Sequence, residues 1–407
     1  MLITALVVIV VGFYILEAVL DYLNQGTANK PLDPRIAHLY SDGERNRSVA
    51  YSAEKSRFGF WSASFSTVVM VFALSYGWFA KLDEFVRSRF ENEIVVSLAF
   101  IALLSVISWW LNLPFQLYSI FKIEAKYGFN KMTLSTFISD TIKGTLVASI
   151  FGGGLLAVVL WLYQNLEDNF WIASWLVLSA FSLFMFMFGT TLILPLFNKL
   201  KPLDSGELRS EIEKYCDSQG YSIGRLFVMD GSKRSTKANA FFSGLGRSKT
   251  IVLFDTLIEK LTTKEIVAVL AHEIGHYKKR HTLSMFLFSL VQSFAIFGLL
   301  GWLLSYPELS TALGAQEPSF HLSALTFFIL FTPLSMLLGL INNSWSRHNE
   351  FEADTFARET YEVAPMRAAL EKISTDSLAN LSPHPLYVAF NYTHPTLLQR
   401  IENIERQ

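Results

Sequence analysis

The sequence predicts an all-α, multi-pass membrane protein in which seven transmembrane helices join mainly helical cytoplasmic segments with a small β element. Three observations support this fold class. Charged residues make up only 17% of the 407 residues, whereas soluble domains average about 25%. Seven long apolar stretches are spread along the chain, and the residues with recognisable chemistry lie in the polar segments beside them.

Each apolar stretch has, or nearly has, the length of a membrane span, which needs about 20 mostly apolar residues. Glu17 interrupts the first stretch, and the other six contain no Asp, Glu, Lys or Arg, which argues against buried core helices. No basic residues precede the first stretch and no Ala-x-Ala-like site follows it promptly, so we expect an uncleaved span rather than a signal peptide. The stretches are residues 2–20, 60–79, 94–121, 144–166, 169–198, 282–307 and 318–346.

The distribution of basic residues predicts the orientation. Lys and Arg are frequent in the first and third loops and after the fifth span, but the loops at 164–170 and 306–320 contain none. Short cytoplasmic loops collect Lys and Arg, so the N-terminus is predicted outside and the active site on the cytoplasmic side. No KDEL-type retention signal is visible. We expect a prokaryotic protein in the bacterial inner membrane rather than the endoplasmic reticulum.

Charge and cysteine content exclude two further classes of protein. The 34 basic and 35 acidic residues give a net charge of −1, which does not supply the basic surface that nucleic-acid phosphates require. We therefore expect the lipid bilayer, and no nucleic acid, as a partner. Cys216 is the single cysteine, so an internal disulfide cannot form.

The strongest local motif is Ala-His-Glu-Ile-Gly-His at 271–276. His272 and His276 are four residues apart and share one helical face, so both imidazoles can reach one tetrahedral Zn²⁺ at about 2.0–2.1 Å. Thr262 and Glu265 have the spacing of a capping box before an apolar run, which predicts the helix that the motif requires. Glu273 lies beside the first histidine, where a carboxylate can deprotonate a metal-bound water.

A catalytic zinc site needs a third protein ligand and an open fourth position. Glu350 is the candidate, because it follows the seventh span on the side of the membrane where the His-Glu-x-x-His helix precedes the sixth. Asp354 lies one helical turn later, so one carboxylate could bind the metal while the other orients a ligand histidine. His348 and His281 are alternative third ligands.

These residues belong to a larger set through which the chain resembles the type I CAAX prenyl proteases, integral-membrane zinc endopeptidases whose known members cut farnesylated C-terminal peptides. The His-Glu-x-x-His pattern alone is weakly specific, but the set in this order is strong and spans nearly the whole chain. It comprises Pro-Phe-Gln-Leu-Tyr at 114–118, Ile-Glu-Ala-Lys-Tyr-Gly-Phe-Asn-Lys at 123–131, Pro-Leu-Phe-Asn-Lys at 195–199, Ala-Asn-Ala at 238–240, the helix at 271–276, residues 346–354 and Tyr-Thr-His-Pro at 392–395.

The resemblance implies a membrane zinc metalloendopeptidase that hydrolyses peptide bonds near the C-terminus of CAAX-type substrates, which are peptides or proteins that can be prenylated. One zinc ion per chain is expected on His272, His276 and Glu350, with Glu273 as the base that assists attack by water. The resemblance also implies that the seven spans enclose a large water-filled chamber, with the zinc site at its cytoplasmic wall.

Four further residues are assigned to the site by the same resemblance. Asn239 and His394 are expected to position the peptide or stabilise the oxyanion, and Arg347 and Asp354 to support the site. The chemistry fits, because an amide N–H and an imidazole N–H can both donate to a developing oxyanion. From the residues alone, Asn239 is also typical of a turn, and a histidine such as His394, before a proline near a helix start, is typical of a surface or capping position.

The predicted organisation has four parts. They are residues 1–198 with spans one to five, 199–281 with the metalloprotease motif and short β-like runs, 282–346 with spans six and seven, and 347–407 with the third zinc ligand.

Two alternatives for the function stay open. One is a membrane quality-control protease of the HtpX heat-shock type, a type that is shorter with fewer spans. The other is a seven-span receptor or transporter whose His-Glu-x-x-His pattern is incidental.

Overall fold

The computed structural model describes residues 1–243 and 250–406, and within them seven helical segments are long and apolar enough to cross a membrane. The predicted all-α membrane fold with seven spans is therefore confirmed. The spanning segments are Leu2–Thr27, Asp42–Ser75, Glu93–Glu124, Leu134–Asn165, Glu167–Phe197, His281–Leu304 and Phe320–Thr360.

Shorter helices and two π-helical turns connect or extend these spans. The π-helical turns are Ser119–Glu124, which continues the third span, and Ala148–Gly153 within the fourth. The α-helices are α1 (Leu2–Thr27), α2 (Pro34–Ala37), α3 (Asp42–Ser75), α4 (Trp78–Arg87), α5 (Glu93–Tyr118), α6 (Leu134–Val147), α7 (Gly154–Asn165), α8 (Phe170–Leu192), α9 (Leu194–Phe197), α10 (Glu207–Ser218), α11 (Asp255–Lys260), α12 (Thr263–Lys278), α13 (His281–Leu304), α14 (Glu308–Thr311), α15 (Phe320–Thr360), α16 (Val363–Asp376), α17 (Pro385–Asn391) and α18 (Leu397–Glu405).

The second span begins and ends earlier than the apolar stretch at 60–79 predicts. Gly77 has a φ of +65°, a left-handed conformation that glycine adopts without steric cost, and it separates α3 from α4. At the other end, Ser41 and Glu44 form a reciprocal capping box that starts α3 at Asp42. The first half of α3 is therefore a polar helix that projects beyond the apolar stretch.

The seven spans form a closed ring. Each span contacts the next one in the chain, with α3 reaching the π-helical end of α5, and α15 returns to contact α1. Two apolar clusters fill the end of the ring that holds the N-terminus of α1, and the polar segments lie at the other end. The first cluster includes Leu6, Leu74, Phe79, Val96, Phe100, Leu313 and Leu322, and the second includes Leu160, Phe170, Leu300, Leu304, Phe320 and Phe327.

Polar residues of the first span face a cavity of about 500 Å³ between α1 and α3. Glu17 and Asp21 line it from α1, and Lys55 lines it from α3. Charged groups within membrane helices usually face the bundle interior or a water-filled cavity. The interruption of the first apolar stretch by Glu17 therefore marks the inner wall of the ring.

A four-stranded sheet is the small β element of the polar domain. Its strand order is β1-β2-β4-β3, with β2 and β4 parallel and the other two pairs antiparallel. Apolar side chains of the sheet, including Ile251 and Leu253, share a buried core with Ile266, Leu270 and Ile274 of α12. The strands are β1 (Leu200–Pro202), β2 (Arg225–Met229), β3 (Ala240–Ser243) and β4 (Thr250–Phe254).

The seventh span continues far beyond the apolar stretch at 318–346. Helix α15 has 41 residues, which at 1.5 Å per residue gives about 60 Å, twice the thickness of the hydrocarbon core of about 30 Å. Its C-terminal part carries Arg347, Glu350 and Asp354 against the polar domain. The division predicted between residues 346 and 347 thus falls inside one helix.

Candidate metal centre

Two crossing helices bring the predicted metal ligands together. Thr262 and Glu265 form the capping box that starts α12, and this helix presents His272 and His276 to Glu350 of α15. The two histidine Nε2 atoms lie 3.1 Å apart. Glu350 Oε2 lies 3.3 Å from the Nε2 atom of His272, and Glu350 Oε1 lies 3.3 Å from that of His276.

This donor set fits a tetrahedral metal ion. A tetrahedron with bonds of about 2.0–2.1 Å has edges of about 3.3–3.4 Å, close to the separations observed. The three residues offer ligand atoms that all lie within 4.8 Å of one another. The buried Glu350 Oε2 atom also has no hydrogen-bond donor among the described residues, as expected for an oxygen whose partner is a cation.

Asp354 and Arg400 hold the first histidine. Asp354 Oδ1 lies 2.8 Å from His272 Nδ1, and Arg400 donates to both Asp354 oxygens at 2.6 and 2.9 Å. Burial and the Arg400 guanidinium lower the pKa of His272, but the nearby carboxylates of Asp354 and Glu350 outweigh them and raise this pKa to about 9. The surroundings therefore stabilise positive charge where His272 meets Glu350.

A second chain of contacts holds the other histidine. His281, the buried first residue of α13, has its Nδ1 atom 3.0 Å from Nδ1 of His276 and its Nε2 atom 2.8 Å from Glu352 Oε2. If Glu352 accepts the Nε2 proton, His281 Nδ1 accepts the Nδ1 proton of His276. The Nε2 lone pair of His276 is then free to bind a metal.

Neither alternative third ligand points its ring at the cluster. His281 contacts Nδ1 of His276, and the other ring nitrogen of His276, Nε2, is the one that faces Glu350. His348 is 70% exposed and its nearest charged partner is Glu352, at 3.9 Å. Among the described residues the only candidate metal group is therefore the one that contains Glu350.

The cluster opens into a cavity of about 230 Å³ that also contains Glu273, Asn239 and His394. His394 is 64% exposed, and its Nε2 atom lies 3.4 Å from Glu350 Oε1. Asn239 Oδ1 accepts from the backbone N–H of Ala240 at 2.9 Å, and no described residue accepts from the two amide donors of Asn239, which a ligand can therefore use. A carboxylate, an amide and an imidazole thus share one small cavity with the candidate metal ligands.

Arg347, which the resemblance expects to support the site, contacts the chain segment just before His394. Its Nη1 atom donates to the carbonyl of Tyr392 at 2.7 Å and to those of Val388 and Ala389 at 3.2 and 3.4 Å. These carbonyls lie at the C-terminal end of α17, where a helix leaves acceptors unsatisfied. Arg347 therefore positions the turn that leads to His394 and does not line the cavity.

Three residues of the site are absent from the sequence-based prediction of its supporting groups. Arg400 is a basic residue of a short amphipathic helix, and nothing in the spacing of α18 shows that it faces inward. Glu352 lies two residues after Glu350, in a stretch that is typical of a solvated acidic helix face, and it is half exposed. His281 was considered only as a ligand, although its position five residues after His276 and at a helix start could have indicated contact between the two rings.

Comparison with known proteins assigns the chain to a family. Residues 21–199 match the family model for the CAAX prenyl protease N-terminal region with five membrane helices, and residues 202–407 match that of peptidase family M48. The CAAX prenyl protease 1 homolog of Arabidopsis thaliana is 38% identical over 97% of this chain and 96% of its own length. CAAX prenyl protease 1 of Saccharomyces cerevisiae is 31% identical over 96% of this chain and 92% of its own.

A solved structure shows the same fold over the whole chain. The crystal structure of S. mikatae Ste24p matches with a TM-score of 0.95 and 31% sequence identity, covering 100% of this chain and 99% of that one. The family resemblance predicted from the motifs is thereby confirmed. The chain belongs to peptidase family M48, among the CAAX prenyl proteases, and is a multi-pass membrane metalloprotease.

Proposed function

We propose that this chain is a zinc metalloendopeptidase that cleaves near the C-terminus of CAAX-type peptides or proteins carrying a prenylated cysteine. The observation that supports this most is the convergence of His272, His276 and Glu350 in the cavity that also contains Glu273. Relatives that are named CAAX prenyl proteases and match over nearly their whole length support the substrate class.

The residues of the cavity have complementary tasks in this proposal. Zinc, when bound, supplies a Lewis acid that polarises the scissile carbonyl and lowers the pKa of water at the site. Glu273 accepts a proton from the attacking water and returns it to the leaving amine. Asn239 and His394 donate hydrogen bonds to the oxygen on which negative charge develops.

The surrounding groups keep the two ligand histidines in the correct tautomer. Asp354 accepts from Nδ1 of His272, and His281 accepts from Nδ1 of His276, so both Nε2 lone pairs face Glu350. Such outer contacts typically contribute 10–100-fold to metal affinity. Arg347 fixes the end of α17 and hence the approach of His394 to the cavity.

We further propose that the site faces the cytoplasm and that the N-terminus lies outside. The basic residues of the first and third loops and of the polar domain support this orientation. The relatives reported above come from eukaryotes, which favours the endoplasmic reticulum. The bacterial inner membrane stays a prediction that these relatives do not support.

The HtpX-type alternative has less support, because the relatives match over more than nine-tenths of their own length and are named CAAX prenyl proteases. The receptor or transporter alternative is wrong, since the chain belongs to a protease family. Similar folds can still act on different substrates, so the substrate class is the part of the proposal that most needs a test.

Matched peptides with and without a prenyl group on the cysteine test this proposal. Purified protein in detergent or liposomes is expected to cleave the prenylated CAAX peptide with a higher kcat/KM, and a zinc chelator is expected to stop cleavage until zinc is restored. Equal cleavage of both peptides would remove the prenyl group from the substrate definition. Chelator-resistant cleavage would contradict the role of the metal.

A further inference from the structure

A larger cavity adjoins the candidate metal centre. It has a volume of about 660 Å³, within the range of about 300–1,000 Å³ that is usual for ligand pockets. Ala238 and Ile373 line both this cavity and the one that contains Glu273. Because Ala238 immediately precedes Asn239, a peptide held at Asn239 can continue directly into the larger cavity.

One wall of this cavity is the loop at 127–129, part of a motif whose function the metal centre does not explain. Tyr127 and Phe129 are buried in a small apolar cluster, and Gly128 between them has a φ of +84°. Arg47 lies against this loop, with Nη2 donating to the Tyr127 carbonyl at 2.7 Å. This left-handed φ favours glycine, and a Cβ atom on Gly128 would lie in ordinary contact, 3.8 Å, with the same nitrogen.

Two of the three cations that line the cavity already have carboxylate partners. Lys260 is paired with Asp376, and Lys372 is paired with Glu265 at 2.7 Å. Neither ammonium group is therefore free to take up a ligand carboxylate without losing an existing ion pair.

Arg47 is the third cation, and no carboxylate of the described residues pairs with it. Its nearest acidic neighbour along α3, Glu44, instead accepts from the backbone N–H and hydroxyl of Ser41 at 2.9 and 2.7 Å. A guanidinium has five N–H donors, and the described hydrogen bond uses one of them. Arg47 therefore presents a guanidinium without an ion-pair partner among the described residues, and a set of donors, to a peptide-sized cavity that Glu44 also lines.

We propose that Arg47 binds the α-carboxylate of the substrate's C-terminal residue, with the three residues after the scissile bond occupying this cavity. The inference rests on the proposed function, and it adds that the scissile bond follows the prenylated cysteine of a Cys-aliphatic-aliphatic-X terminus. Three extended residues reach about 10 Å, and a carboxylate is the anion that a guanidinium binds in bidentate fashion. Arg47 is thus a specificity residue that selects substrates whose C-terminal carboxylate lies three residues beyond the scissile bond.

The test compares a farnesylated CAAX peptide that ends in a free carboxylate with the same peptide ending in an amide. The unaltered protein is expected to favour the free acid by about 10–100-fold in kcat/KM, the range of one or two charge-assisted hydrogen bonds. Arg47→Gln is expected to abolish this preference by slowing cleavage of the acid alone, and Arg47→Lys to retain part of it. Arg45→Gln is the matched control, because Arg45 is two residues away and donates to the Lys30 carbonyl outside the cavity.

Three outcomes would overturn the proposal: equal cleavage of acid and amide by the unaltered protein, an unchanged preference in Arg47→Gln, or an equal loss of both activities in that variant. Calorimetric binding of the free tripeptide acid and its amide needs no turnover. If no peptide is cleaved, the proposed function fails. The carboxylate site is still supported if the tripeptide acid binds the unaltered protein but not Arg47→Gln. It is overturned if the tripeptide acid binds the two proteins equally.

Discussion

Gly275 is in van der Waals contact with Ala353 at the point where the helix of the two ligand histidines crosses the helix of Glu350. A Cβ atom on Gly275 would lie 3.1 Å from both the Cα and the carbonyl oxygen of Ala353, and 3.2 Å from the Cβ of Phe356. Backbone atoms cannot move aside as the end of a flexible side chain can. The distance between α12 and α15, and hence the separation of the ligand atoms, depends on a glycine at this position.

Gly275→Ala is therefore expected to push α12 away from α15 and weaken metal binding. Overpacking of this kind typically costs about 1–3 kcal/mol, so we expect a lower melting temperature and at least a tenfold weaker zinc affinity in competition with a chromogenic chelator. Gly339→Ala on α15 is the control, since a Cβ there meets nothing within 4 Å. Wild-type zinc affinity in Gly275→Ala would show that the helix crossing does not set the ligand geometry.

Removal of His281 is expected to lower zinc affinity although its ring does not face the metal cluster. Without it, His276 loses the acceptor for its Nδ1 proton and can adopt the tautomer that blocks Nε2, so we expect a 10–100-fold loss in affinity for His281→Leu. Dialysis against buffered zinc followed by elemental analysis measures this. His348→Leu serves as the control, because that ring is exposed. An equal zinc affinity in both variants would rule out the His281 contact as a tuning element.

Asp354→Ala is expected to be more destabilising than the loss of one hydrogen bond. It would leave the Arg400 guanidinium as a largely buried charge without its bidentate partner, a change that typically costs about 3–5 kcal/mol. The double variant Asp354→Leu with Arg400→Met is expected to recover much of the unfolding free energy but not the zinc affinity. Chemical denaturation and zinc titration of the unaltered protein and the two variants separate these effects, and a double variant no more stable than Asp354→Ala would argue against coupling of the pair.

The described polar contacts of Arg347 are to backbone carbonyls, so its substitution is expected to change turnover without changing metal content. Arg347→Met leaves the carbonyls at the end of α17 without this donor, which lowers the free energy of unfolding by about 1–3 kcal/mol. His394 is then no longer held beside the cavity. We expect a lower kcat with one zinc ion still bound, and partial rescue by Arg347→Lys. Loss of zinc together with activity would indicate that Arg347 acts on the cluster itself.

Much of the fold was predictable because the bilayer imposes a simple rule. Long uncharged stretches must become spans, and their number and order were correct. Their ends were less predictable, since Gly77 breaks an apolar stretch and the Ser41 capping box extends a helix into polar sequence. A prediction from hydropathy alone ignores local backbone signals of this kind and therefore misplaces the helix ends.

The two candidate histidine ligands and the proposed base were predictable because His272, Glu273 and His276 lie within five residues on one helix, where spacing determines geometry. Glu350 needed the topology as well. Arg400 could not be assigned from sequence, because its role arises from contacts between separate helices that local spacing does not encode. The same holds for Arg347, whose partners lie in the segment before His394.

The most direct test of the central claim is to measure zinc content and peptide turnover on the same preparations of the unaltered protein and Glu273→Gln. We expect one zinc ion per chain in both, because Glu273 is not a ligand, and a loss of turnover of about 10²–10⁴-fold or more in the variant, the range assigned to a general base. Normal turnover by Glu273→Gln, or an unaltered protein that is active without bound zinc, would contradict the account.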